Sequence, residues 1–205
     1  MPGASRRGRF ITLEGVDGAG KSTHVPWIAG RLRAGGREVI VTREPGGTPH
    51  AEALRGRLLA EKMDPQKETE LMFEARADHV QKVIRPALER GAWVLCDRFT
   101  DSTRAYQGAG KGVALERIEA LAAQVHGGLV PDLTLVFDAS HAVSRQRLAG
   151  RPLDKFEAEG AEFFGRVRKA YQDLARTEPN RVHIIDGSRS LDEVQAEIEK
   201  WIAVL

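Results

Sequence analysis

Residues 10–22, Phe-Ile-Thr-Leu-Glu-Gly-Val-Asp-Gly-Ala-Gly-Lys-Ser, constrain the fold of this chain more than any other stretch. Phe10, Ile11 and Leu13 read as a buried strand. It runs directly into Gly15-Val16-Asp17-Gly18-Ala19-Gly20-Lys21-Ser22, which fits the pattern G-x-x-x-x-G-K-[ST]. Glycines without a Cβ let successive backbone N–H groups turn inward around a phosphate, and the following helix adds its positive end. That helix is signalled by Val25, Ile28, Ala29 and Leu32, spaced along one helical face. Lys21 is expected to reach the terminal phosphates of a nucleoside triphosphate, with the Ser22 hydroxyl on Mg²⁺.

The 205 residues suit one domain, residues 1–205, with a sizeable core. A formal charge of +2 gives no reason to expect nucleic acid or a membrane surface as partner. No apolar run approaches the roughly 20 residues of a membrane span. The lone Cys96 closes an apolar run and is expected to be a buried small hydrophobe in a reducing, cytoplasmic setting. Residues 1–9, with Arg6, Arg7 and Arg9, are expected to form a frayed tail.

Four more strands are expected at 38–42, 93–96, 133–137 and 182–185, each separated from the next by helical patterns. These include a helix at 49–60, a long one at 68–89 with Pro86 kinking its last turn, and later ones striped by Leu115 to Val125, Phe163 to Leu174 and Val194 to Leu205. The alternation predicts an α/β fold, a five-stranded parallel sheet with helices on both faces. Ligands in such sheets bind at the carboxyl ends of the strands, where the glycine loop, Arg43-Glu44-Pro45 and Asp97-Arg98 all fall.

A phosphate loop alone leaves kinase, switch and motor open. The only asparagine is Asn180, so the Asn-Lys-x-Asp stretch of a guanine-specific switch is absent. Arg43, Arg55, Arg76 and Arg98 are placed to form a second pocket. Because guanidinium grips phosphate bidentately, they favour a phosphorylated acceptor. A kinase of hydroxyl acceptors, with Asp97 or Glu44 as base, and a non-catalytic nucleotide-binding protein stay open at this point.

Several stretches together resemble the bacterial thymidylate kinases. They are the loop with its internal acid, Thr42-Arg43-Glu44-Pro45-Gly46-Gly47, Leu71-Met72-Phe73-x-x-Arg76, Asp97-Arg98-Phe99-x-Asp101-Ser102-x-x-Ala105-Tyr106-Gln107 and Pro131-Asp132-Leu133. The resemblance runs in family order from Phe10 to the last helix. It implies the three-layer P-loop NTPase fold, a homodimer through helices of the 68–89 region, and transfer of the γ-phosphoryl group of ATP·Mg²⁺ to dTMP. ATP contacts are then expected from Gly15, Val16, Asp17, Gly18, Ala19, Gly20, Lys21, Ser22, Thr23 and Arg147. Catalysis is expected to rest on Lys21, Arg98, Asp17 and a lid arginine, first Arg151 and then Arg147, within a lid at about 145–157.

On the acceptor side the resemblance implies Asp17 near the 3′-hydroxyl and sugar, Arg98 on the phosphate, Arg43, Glu44, Pro45 and Arg55 as further substrate contacts, and Phe73 stacked on thymine. Arg76 and Gln107 are expected on the base edge, with Thr103 or Tyr106 walling the sugar. Ser22 is the expected metal ligand, with Glu44 and Asp97 acting through water. Phe73 lies three residues before Arg76, where many family members have the stacking ring four before; here Met72 holds that place. The six histidines show no metal-ligand spacing and are read as surface or packing residues.

Overall fold

The computed structural model describes residues 7–150 and 154–205. Its centre is β1 (Phe10–Gly15), buried at every position. On one side lie β3 (Trp93–Asp97) and β2 (Val39–Arg43), and on the other β4 (Leu133–Asp138) and β5 (Val182–Asp186). The strand order is β2-β3-β1-β4-β5 and every pairing is parallel. The chain leaves β1 toward one edge for β2 and β3, then returns past β1 for β4 and β5, so β1 marks the switch point where α/β sheets open a crevice.

Alternation along the strands loads both faces. Ile11, Leu13, Leu95 and Leu135 join Ile28, Ala29 and Leu32 of α1 (Lys21–Ala34) and Val194 and Ile198 of α9 (Leu191–Ile202) in the largest core cluster. Phe10, Val94 and Cys96 face the other way, onto Val80, Ile84 and Leu88. The five expected strands are all present. Four of them, β1, β3, β4 and β5, extend one or two residues further toward their carboxyl ends than expected, and β2 is shifted one residue along.

The helix expected at 49–60 is α2 (Pro49–Ala60), capped by the Thr48 hydroxyl on the Ala51 N–H. The long helix begins earlier than expected. Asp64 accepts from the Gln66 and Lys67 N–H groups and starts α3 (Pro65–His79), which passes through a π-helical turn (Val80–Ile84) into α4 (Arg85–Glu89). Pro86 lacks the N–H that a helix interior needs, and the wider turn just before it accommodates the defect. The broad apolar arc of this helix is consumed within the chain: Leu71 and Ala75 pack with α2, Phe73 packs with α6 (Leu115–His126), and Val80 and Ile84 pack against β1 and β3.

After β3, α5 (Thr100–Thr103) continues as π-helix from Arg104 through Gly110. One other expectation is corrected. The end of the tail is anchored: the guanidinium groups of Arg7 and Arg9 meet Asp132 at 3.3 and 3.0 Å, and the Gly8 N–H reaches the Leu88 carbonyl. The remaining helices are α7 (His141–Leu148) and α8 (Ala161–Thr177). Among the described residues no helix is long and apolar enough to cross a membrane.

Candidate active site

The register aligns the carboxyl ends of three strands. Leu13 of β1 sits opposite Asp97 of β3, and Asp97 sits opposite Arg43 of β2, so the loops that follow emerge side by side. The loop after β1 demands glycine. Gly15 (φ +119°) and Gly18 (φ +78°) lie in the left-handed region, and a Cβ on them would meet the Phe137 carbonyl oxygen at 2.1 Å and the Ser144 carbonyl oxygen at 2.6 Å. The first turn of α1 carries neither an acidic residue nor a capping side chain. Its N–H groups are therefore presented to an anion. The Lys21 ammonium is buried in this cradle, donating to the Gly15 and Val16 carbonyls at 2.9 Å each and lying 3.9 Å from Asp17. Burial and the Arg98 charge push its pKa down, against the pull of Asp17, Asp97 and Glu14. Ser22 and Thr23 are exposed at the mouth of the loop. Arg147 spans from the Gly18 carbonyl (3.2 Å) to the Gly187 carbonyl (2.8 Å), which puts a guanidinium from α7 on the glycine loop. Arg151 lies outside the described residues.

Beside the loop opens a cleft of about 580 Å³, continuous with solvent at its mouth, whose walls include Asp17, Pro45, Arg55, Arg76 and Arg98. Its polar floor is a chain of charges. Arg98 donates to Asp17 at 2.8 Å, to Ser102 at 3.0 Å and to the Tyr106 hydroxyl at 3.1 Å. Burial alone would raise the Asp17 carboxyl, but Arg98 and Lys21 outweigh it and hold the group well below the usual range. Conversely, burial works against the Arg98 charge and is more than offset by Asp17, followed by Tyr106 and Tyr171, so the guanidinium stays firmly protonated. Arg55 donates to the Pro45 carbonyl at 2.9 Å and is half-buried on the cleft wall. Glu44 joins Pro45 through a cis peptide bond.

Further in, Arg76 is buried, bonded to Glu44 at 2.6 Å and to Thr103 at 3.2 Å, and its Nη1 has no partner among the described residues. Gln107, Thr103 and Tyr106 all line the same cleft. Three placements differ from expectation. Glu44 is not available to a metal-bound water: both its oxygens are taken, by Arg76 and by His79 (2.9 Å), and the Arg76 charge with the His79 hydrogen bond holds the buried carboxyl below its ordinary value although burial pushes it up. Phe73 does not face the cleft; it is 1% exposed among Val113, Ile118 and Ala122, with Arg76 stacked 4.7 Å above its ring. Met72 lines the cleft in its place, together with Phe99, Tyr106 and Phe156. Arg43 turns away from the cleft to Glu52 (3.0 Å) and is 55% exposed, because β2 delivers it to a neighbouring hollow.

That hollow is also lined by Ser22 and Asp97. The Asp97 Oδ1 atom is buried with no hydrogen-bond partner among the described residues. A serine hydroxyl and an aspartate on one hollow, with one carboxylate oxygen left unpartnered, fit a hydrated Mg²⁺, a hard cation that keeps several waters. Glu44, tied off on the other side, does not fit.

Several site groups carry no local sequence signal. Buried Glu68 accepts from Gln107 (2.9 Å), Lys111 (2.8 Å) and Lys155 (2.7 Å), and both lysines lie over the Phe156 ring. His79, fully buried, braces Glu44 and also meets the Thr42 hydroxyl at 2.7 Å. Glu14 stands behind Ser102. Polar residues at alternate positions of a buried strand, Thr12 and Glu14, were the one available hint of that buried network.

Comparison with known proteins agrees with this geometry. A sequence model of the family "Thymidylate kinase" matches residues 13–198. The chain is 54% identical over 200 residues to a thymidylate kinase of Cupriavidus metallidurans, covering 97% of this chain and 100% of the relative. It is 55% identical over 193 residues to that of Methylobacillus flagellatus, covering 94% and 95%. The crystal structure of thymidylate kinase from Ehrlichia chaffeensis superposes with a TM-score of 0.79 at 34% identity, over 96% of this chain and 99% of that one. On its fold, its site and these relatives, the chain belongs to the thymidylate kinase family.

Proposed function

We infer that this chain transfers the γ-phosphoryl group of ATP to the 5′-phosphate of dTMP, giving dTDP and ADP. The observation that carries the reading is the Arg98–Asp17 pair, which sets a fixed cation on the wall shared by the phosphate loop and the acceptor cleft. A phosphate monoester has its second pKa at about 6 and is mostly dianionic at neutral pH, so the acceptor needs no base. What the reaction needs is two anions held in line and their charge dispersed. The amides of residues 15–23 and Lys21 hold the donor, and Arg147 reaches the same loop from α7. Arg98 and Arg55 face the acceptor phosphate, Asp17 holds Arg98 in place, and Met72, Arg76 and Gln107 meet the base. Ser22 and, through water, Asp97 would hold Mg²⁺, which when bound neutralises the β- and γ-phosphates.

The open groove beside the long helix, lined by Ala77, Gln81, Arg85, Gln124 and Val125, supports a homodimer there. A monomer mass by light scattering at micromolar concentration would remove that part of the reading. Buried, reduced Cys96 supports a cytoplasmic setting. For the activity itself the test is an ADP-coupled assay with Lys21→Met as control: turnover of dTMP is expected in the parent protein and none in the variant.

A further inference from the structure

Arg98 is the sole non-glycine residue with positive φ (+74°) among the described residues. Such a conformation persists only when its surroundings over-determine it. Its own N–H is bonded to the Leu13 carbonyl at 2.9 Å, and its carbonyl accepts from the Cys96 thiol at 3.1 Å. The next N–H, that of Phe99, donates to Glu14 Oε1 at 2.7 Å. Glu14 Oε2 accepts the Ser102 hydroxyl at 2.5 Å, and the same Ser102 oxygen receives Arg98 Nη1 at 3.0 Å. Tyr171 closes the arrangement from α8, 2.9 Å from Glu14 Oε2. One fully buried carboxylate on the central strand thus holds the peptide that follows Arg98 with one oxygen and, through one hydroxyl, the guanidinium with the other.

We propose that Glu14 is a positioning residue for phosphoryl transfer, fixing the backbone and the guanidinium of Arg98 so that the cation faces the acceptor phosphate. This rests on the reading that Arg98 grips that phosphate. Glu14 itself touches no substrate: it lies behind Ser102 and Phe99, away from the cleft lining. Its loss therefore acts on one part of the acceptor only. With the turn released, the guanidinium keeps its Asp17 and Tyr106 contacts but is no longer aimed from its backbone, so its grip on the phosphate weakens, while the base-edge donors keep their own partners, Arg76 on Glu44 and Gln107 on Glu68.

Thymidine, which lacks the phosphate, is the natural control. Calorimetric titration of dTMP and of thymidine into the full chain gives a preference ratio that a general loss of structure would not change. Glu14→Ala is expected to weaken dTMP at least about tenfold, the scale of a hydrogen bond to a charged group, and to leave thymidine within about twofold. Ser102→Ala, a milder change that leaves the Phe99 contact intact, is expected to shift the ratio in the same direction. Glu14→Gln should restore most of the ratio, since an amide oxygen still accepts from Phe99 and the Ser102 hydroxyl can rotate to accept from the amide. Under turnover the KM for dTMP should rise in Glu14→Ala with the KM for ATP little changed. An equal loss of dTMP and thymidine, or no loss of either, in Glu14→Ala or in Ser102→Ala would overturn the inference. Arg98→Ala separates the two levels: an unchanged ratio there brings down the phosphate-grip reading and this inference with it. A collapsed ratio there beside an intact one in Glu14→Ala and Ser102→Ala brings down this inference alone.

Discussion

The Arg98 guanidinium stands 2.8 Å from the Asp17 carboxylate, joining the turn after β3 to the phosphate loop after β1 across 81 residues of sequence. Each group stabilises the other's charge, and on the proposed function the pair stands between the donor and the acceptor. Arg98→Ala should lower kcat/KM for dTMP by about 10²–10³, some 3–4 kcal/mol of transition-state stabilisation. Arg98→Lys should recover little of it, since an ammonium cannot serve Asp17, Ser102 and Tyr106 at once. Steady-state kinetics with saturating ATP checks both.

The placement of Met72 and Phe73 predicts opposite phenotypes for neighbouring residues. Met72→Ala removes apolar surface from the cleft and should raise the KM for dTMP about tenfold with little loss of stability. Phe73→Ala empties a buried site against α6 and should cost about 3–5 kcal/mol of stability. Chemical denaturation paired with KM measurements separates the two, and the reverse pattern would return the ring to the cleft.

Glu14 makes the stability pH-dependent near neutrality. Burial, with the Asp101 charge adding to it, pushes its carboxyl up to about 7 against the pull of Ser102, Arg98 and Tyr171. A folded-state value above the ordinary 4.5 means the native protein binds the proton more tightly than the unfolded chain. The stability contribution is therefore complete below pH about 4.5 and is lost as pH rises through about 7. Urea melts between pH 4.5 and 8 should show the parent protein losing up to about 3 kcal/mol relative to Glu14→Gln, at 1.36 kcal/mol per unit of pKa separation. Parallel pH profiles would contradict this.

Glu68 gathers Gln107, Lys111 and Lys155 on one buried carboxylate. Glu68→Ala leaves those donors without their acceptor and should cost about 2–3 kcal/mol of stability. It should also raise the KM for dTMP, because Gln107 loses the contact that fixes its amide beside the cleft. Denaturation midpoints and dTMP saturation curves measure the two effects.

The sequence made the sheet and the phosphate loop legible because both are local: apolar strands, a glycine spacing and a helical stripe each lie within about fifteen consecutive residues. Arg98, Tyr106 and Gln107 were legible because they belong to one continuous motif. What stayed hidden depends on partners far apart in the chain. Glu44 looked free for a metal-bound water until α3 brought Arg76 and His79 onto its two oxygens, 32 and 35 residues away. Phe73 and Met72 share a helix face with Arg76 at 3- and 4-residue spacings, and only the packing of α3 on α6 decides which one turns inward. Arg43 ends its strand as expected, yet Glu52, nine residues on, draws it away from the cleft.

The central claim is that the cleft beside Arg98 admits a thymine nucleotide and presents its phosphate to the loop-bound donor. A coupled assay with ATP and Mg²⁺ across dTMP, AMP, GMP and CMP tests it most directly. The account predicts rapid ADP formation with dTMP and little with the other three. Turnover of AMP, GMP or CMP without turnover of dTMP would contradict it.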